Sequence, residues 1–201
     1  MEEKKQSRLH HFVLVHGACH GAWCWYKVVP LLKQAGYKVT ALDLAASGIH
    51  PKQATKLGSV SDYLAPLMEL MTSLTGGGKE EKVILVGHSM GGVGISAAME
   101  KFAEKVAVAV FVTAFMPAPH PGVGYSLPRE EGFFASPSSS SFVKLDGPEN
   151  PPTSMLFGPK AMATKFYQLS PPEDLALGIM LVRPCPLFKD GLIITVFWSR
   201  I

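Results

Sequence analysis

No histidine occurs after His120 in this 201-residue chain. That scarcity limits the acid–base chemistry its later half can supply. Cysteine is also sparse: Cys19, Cys24 and Cys185 make an odd number with no C-x-x-C pair. Neither a disulfide framework nor a zinc site is expected, so no metal is called for. Charge is thin, at 17% of residues, with a net +3 scattered along the chain. A basic stripe is missing, which argues against a nucleic-acid partner. The longest apolar stretch, near Val106 to Met116, is too short to span a bilayer. The first eight residues are polar and charged, unlike a signal peptide, so no membrane association and a cytoplasmic location are expected. No internal repeat is visible.

What remains is an apolar chain, 47% hydrophobic, long enough for one domain with a substantial core. His11–Val15 is a continuous apolar run that reads as a strand buried on both faces. A helix is predicted from Trp23 to Ala35, stopped by Gly36, and a second strand at Lys38–Leu42. Helical spacing of Tyr63, Leu67, Leu70, Met71 and Leu74 predicts a helix that starts at Ser59 or Ser61. Strand three is Lys82–Val86, a helix runs from Ser89 to about Phe102, and strand four is Val106–Thr113. This alternation predicts an α/β fold with a parallel sheet. Beyond Met116 a run of prolines and the serines 138–141 break up regular structure. Short helices are predicted at Lys160–Gln168 and Glu173–Leu181, so residues 117–188 read as a cap on a core formed by 1–116. Residues 189–201 form a divergent tail whose Leu192–Trp198 segment has high strand propensity.

Gly87-His88-Ser89-Met90-Gly91 lies between an apolar strand and a helix. This G-x-S-x-G pattern in a strand–turn–helix setting lifts a serine hydroxyl clear of the sheet, where a substrate can reach it. Ser89 is therefore the candidate nucleophile. The backbone N–H of Met90 would be one oxyanion donor, and the other would come from the His16-Gly17-Ala18 turn, at Ala18. Each such donor stabilises a transition state by about 2.7–4 kcal/mol. A serine hydroxyl also needs a base, and the base an orienting group. His16 and His20 are the nearest alternatives, though a loop histidine fixing a turn explains each as well. His88 adjoins the nucleophile and reads as structural, and His120 as an exposed loop residue.

Several long segments resemble the plant methylesterase family of α/β-hydrolases, which also holds hydroxynitrile lyases. They are His11–Tyr26, Val39–Gly48, Val83–Gly92, Ala109–Pro117, Pro171–Gly178 and Leu181–Pro184. The resemblance implies an α/β-hydrolase core with an inserted cap. It places Ser89 at the nucleophile, Ala18 and Met90 at the oxyanion amides, and Phe115 and Leu181 along an apolar pocket. It implies a small hydrophobic carboxylic ester or acid as partner, a homodimer, and no cofactor. Gly17, where the lyases carry threonine, favours ester hydrolysis over cyanohydrin cleavage. The match stops near Lys189-Asp190, before the strands that bring the family's acid and histidine. The expectation is thus a fold lacking its last strands and an esterase of impaired activity. The alternative is an inactive shortened product that at most binds a small apolar acid. Loss of the last strands would also leave Val106–Thr113 as an exposed apolar edge, on which the tail could dock.

Overall fold

The computed structural model describes residues 10–74, 82–117, 140–143 and 153–188. Four parallel strands form the central sheet: β1 (His11–Val15), β2 (Lys38–Leu42), β3 (Val83–His88) and β4 (Val106–Val112), in the order β2-β1-β3-β4. Register runs from His11 opposite Lys38 and Val83 to Val15 opposite Leu42 and Gly87. Because both faces of β1 are covered, its residues alternate between two cores. Val13 and Val15 join Leu67, Met71, Leu85 and Ile95, whereas Leu14 packs with Trp25 and Val86.

Three helices connect these strands. α1 (Val28–Gln34) is shorter than the helix expected from Trp23, because the first part forms a separate 3-10 turn at Ala22–Trp25. Pro30 explains the break: its ring would clash with the Tyr26 carbonyl in a continuous α-helix. The C-terminus is closed by Gly36 at φ 88°, with Tyr37 N donating to Leu32 O and Gly36 N to Lys33 O, the pairing of a Schellman motif. α2 (Val60–Ser73) begins at Ser59. The Ser59 hydroxyl accepts from Asp62 N and the Asp62 carboxylate accepts from Ser59 N, a reciprocal capping box. α3 (Gly91–Lys101) follows β3.

The expected disruption beyond Met116 is only partly found. β5 (Ser140–Val143), β6 (Ser154–Phe157) and β7 (Cys185–Pro186) form a second, antiparallel sheet that the residue pattern did not predict. The serine run, read as a breaker, thus contributes to a strand. The helix expected at Lys160–Gln168 is a three-residue α4 (Pro159–Ala161) leading into a π turn, Met162–Phe166. α5 (Pro172–Leu181) starts with a proline at its first position, where no N–H is needed. Among the described residues β4 is a sheet edge, and Val108, Val110 and Val112 are exposed on it. The tail Leu192–Trp198 and the Gly76–Gly78 turn lie outside the described residues. No described helix is long and apolar enough to cross a membrane.

Candidate active site

The C-terminal ends of the four parallel strands share an unusual feature. Each is followed by one non-glycine residue in left-handed conformation: Cys19 after β1 (φ 62°), Ala46 after β2 (φ 64°), Ser89 after β3 (φ 51°) and Thr113 after β4 (φ 45°). Such conformations cost about 1–3 kcal/mol apiece and persist only where surrounding contacts enforce them. Open α/β sheets bind ligands at this same edge.

At Ser89 the enforcing contacts are explicit. Its carbonyl accepts from Gly92 N at 3.1 Å and from Phe115 N at 3.0 Å, while its own N–H donates to Val112 O. The glycines around it are demanded by space. A Cβ on Gly91 would fall 2.5 Å from the Val15 carbonyl, and one on Gly92 would fall 2.1 Å from the Phe115 carbonyl. A Cβ on Gly17 would stand 2.9 Å from the Ser89 Cβ and 3.1 Å from His88 Nδ1. The turn after β1 therefore lies against Ser89.

Within that turn His20 N donates to Gly17 O, and only Cys19 of the two central residues has positive φ. That combination defines a type II turn, which normally favours glycine where Cys19 stands. Cys19 is held from three directions: its thiol donates to Met155 O, its carbonyl accepts from Arg183 N at 2.9 Å, and its neighbours are tied by His20. No acceptor among the described residues takes the N–H of Ala18 or of Met90. Both residues are nevertheless buried, at 5% exposure each. A buried N–H without a partner is uncommon in a folded chain. Met90 follows Ser89 directly, and Ala18 lies in the turn whose Gly17 packs against it.

Two histidines of the turn after β1, His16 and His20, are occupied. His16 donates from Nδ1 to Gly17 O and accepts at Nε2 from Leu44 N, and it is wholly buried. Burial pulls its pKa down to about 4, against the smaller opposing effect of the Gly17 carbonyl. His20 uses Nδ1 on Ala18 O and Nε2 on the Tyr167 hydroxyl. Desolvation lowers its pKa too, as it does for the half-buried His88. Among the described residues no imidazole is hydrogen-bonded to the Ser89 hydroxyl. Asp43, just after β2, is spent on Ala22 N and Ile49 N. His120, Asp146 and Asp190 lie outside the described residues.

The other expected pocket residues sit apart in the chain. Phe115 follows β4, half-buried and packed on the main core. Leu181 ends α5, 38% exposed. A groove of about 770 Å³ between α2 and α3, lined by Leu64, Met68 and Ala97 among others, contains none of the expected site residues. Among the described residues, no three His, Cys, Asp or Glu side chains converge as a metal ion requires.

Two residues that sequence reasoning passed over prove central to the loops. Arg183 donates to the carbonyls of Gly48, His50 and Lys52 at 2.7–2.9 Å. Tyr167 closes against His20 from the far segment of the chain. A lone arginine in an apolar stretch was the one available signal.

A strand–serine–helix turn at the C-terminal edge of a parallel sheet is the layout of an α/β-hydrolase. The profile of the alpha/beta hydrolase family matches residues 12–197, and the chain belongs to that family, in its plant methylesterase branch. It is 54% identical over 185 residues to methyl jasmonate esterase 1 of Vitis vinifera, covering 92% of this chain and 70% of that protein. Salicylic acid-binding protein 2 of Nicotiana tabacum is 52% identical over 186 residues, with 90% and 70% covered. Among solved structures, tomato methylketone synthase I complexed with 2-tridecanone superposes with a TM-score of 0.78. Its identity is 50%, covering 89% of this chain and 68% of that one.

Proposed function

We propose that the chain is a serine hydrolase of small carboxylic methyl esters, of the jasmonate, salicylate or indole-acetate kind, and that these 201 residues turn over slowly. Ser89 Oγ attacks the ester carbonyl, and the developing oxyanion takes hydrogen bonds from Ala18 N–H and Met90 N–H. Methanol leaves with the serine proton. Water then adds to the acyl group, releasing the acid and restoring the hydroxyl. Phe115 and Leu181 line the apolar side of the pocket, residues 117–188 act as its cap, and a homodimer belongs to the same reading.

The observation that carries the proposal is the left-handed Ser89 held against Gly17, with the amides of Ala18 and Met90 finding no acceptor among the described residues. The slow rate follows from the occupied imidazoles of His16 and His20. Oxyanion stabilisation and binding without a base leave about 10³–10⁴ over water. A second reading, binding of an apolar acid without turnover, is favoured by the same occupied histidines.

Hydrolysis of methyl jasmonate, methyl salicylate and methyl indole-acetate by the purified chain and by Ser89→Ala decides between them. Weak hydrolysis that Ser89→Ala abolishes supports the first reading. Equal rates in both proteins overturn it, and turnover of an ordinary esterase overturns the claim of impairment.

A further inference from the structure

The three cysteines divide between the two faces of the central sheet. Cys19 and Cys185 are buried in the main core, at 2% and 3% exposure. Cys24 packs instead with the smaller cluster around Leu14 and Trp25. Cys19 and Cys185 are far apart in sequence and neighbours in the fold. The Cys19 carbonyl accepts from Arg183 N at 2.9 Å, so the turn after β1 lies against the segment that leads into β7. The Cys19 thiol donates to Met155 O, and Met155 is the residue directly opposite Cys185 in the β6–β7 pairing. Each thiol also faces the other residue's main chain: the Cys185 N–H is directed at the Cys19 sulfur, and the Cys19 N–H at the Cys185 sulfur.

A disulfide needs two adjacent backbones with their side chains turned toward one another. The Arg183–Cys19 hydrogen bond supplies the first condition, and the crossed thiol–amide contacts supply the second. Burial pushes both thiols up, Cys185 to about 12. Little thiolate is present at neutral pH, so the pair stays reduced toward bulky reagents and reacts slowly with small ones.

We propose that Cys19 and Cys185 are a redox pair, which hydrogen peroxide converts to a disulfide that clamps the second sheet to the turn after β1. One thiolate attacks a peroxide oxygen, the O–O bond breaks and hydroxide leaves, giving a sulfenic acid. The other sulfur then attacks the oxidised sulfur, the S–O bond breaks, and water leaves with the second thiol's proton. In sum, two thiols and one peroxide become one disulfide and two waters. The sulfurs are oxidised and the peroxide is reduced. Cys24, on the opposite face of the sheet, stays a thiol. The inference stands independently of the esterase reading.

The test treats the full chain with hydrogen peroxide, then denatures it in N-ethylmaleimide and digests it with chymotrypsin. Cleavage at Trp23 separates Cys19 from Cys24. Mass spectrometry should find a peptide pair joining Cys19 to Cys185, lighter by two hydrogens, with Cys24 alkylated. Because the bond closes a long loop, the thermal midpoint should rise by about 5 °C or more. Dithiothreitol should abolish the rise, although it does not restore oxidised methionines. Cys185→Ser should give neither the pair nor the rise, and Cys24→Ser should give both. The linkage is read in the unsubstituted chain, so a Cys185→Ser protein that fails to fold does not affect the decision. Recovery of Cys19 and Cys185 as alkylated thiols or sulfinic acids after prolonged oxidation overturns the proposal. So does a bond from either one to Cys24 or to a second chain. A Cys19–Cys185 bond without any rise in midpoint overturns the clamp.

Discussion

Replacing Gly91 by alanine sets two effects of opposite sign against each other. Gly91 is the first residue of α3, and alanine in a helix is favoured over glycine by about 1 kcal/mol. Against this, the new Cβ would lie 2.5 Å from the Val15 carbonyl oxygen and 2.8 Å from that of His16. Both oxygens are main-chain atoms at the end of β1, which is hydrogen-bonded between β2 and β3 and cannot give way. The helix would have to retreat from the sheet, and overpacking of this kind costs about 1–3 kcal/mol or more. A Cβ only 2.5 Å from a main-chain oxygen puts the cost in the upper part of that range, so the clash outweighs the propensity and Gly91→Ala should lower the unfolding free energy by roughly 1–2 kcal/mol net. It should also displace the Met90 amide. Gly58→Ala is the control, because its Cβ meets only Asp62 Oδ2, at 3.6 Å, and should change stability by less than about 0.5 kcal/mol. Urea unfolding of the three proteins measures both. A neutral or stabilising Gly91→Ala would refute the steric argument for the glycines around Ser89.

Acid should weaken the fold through His16. Its folded pKa of about 4 lies below the ordinary 6.5, so under pH 6.5 the unfolded chain takes up a proton that the folded chain refuses. Stability should therefore fall as pH drops from about 6.5 and level off below about 4, with roughly 2 kcal/mol lost by about pH 5. His20 and His88 are shifted in the same direction and add to the slope. Urea midpoints unchanged between neutral pH and about pH 5 would contradict this. Arg183→Met removes donors to three loop carbonyls and should cost about 2–3 kcal/mol, read by thermal unfolding. Ser59→Ala breaks the capping box of α2 and should cost about 1 kcal/mol, and no loss of helix stability would count against it.

β1, β3 and β4 were legible as apolar runs, the pattern of a parallel sheet, and β2 as a shorter run interrupted by Thr40. The helix after β1 was drawn too long because Pro30 acts on the carbonyl four residues back, an effect that apolar spacing does not register. The second sheet left no trace in the pattern, since β6 has four residues and β7 only two, one of them a proline. Ser89 could be found because the glycines beside it are forced by close backbone approach. Cys19, Ala46 and Thr113 adopt left-handed conformations without being glycine, so composition gave no hint of them. The partner that fixes His20 lies 147 residues away, and only the folded chain brings it near.

Among the described residues, Ser89 stands in a turn shaped for attack with no imidazole hydrogen-bonded to its hydroxyl. The most direct test of the account is the rate of Ser89 phosphonylation by a fluorophosphonate, followed by peptide mass spectrometry across a range of pH. The account predicts labelling confined to Ser89, slow at neutral pH, and rising steadily with hydroxide without an inflection in the imidazole range. Labelling at another residue would contradict the nucleophile. Fast labelling at neutral pH that falls away below an imidazole-like pKa would reveal a base and contradict the rest.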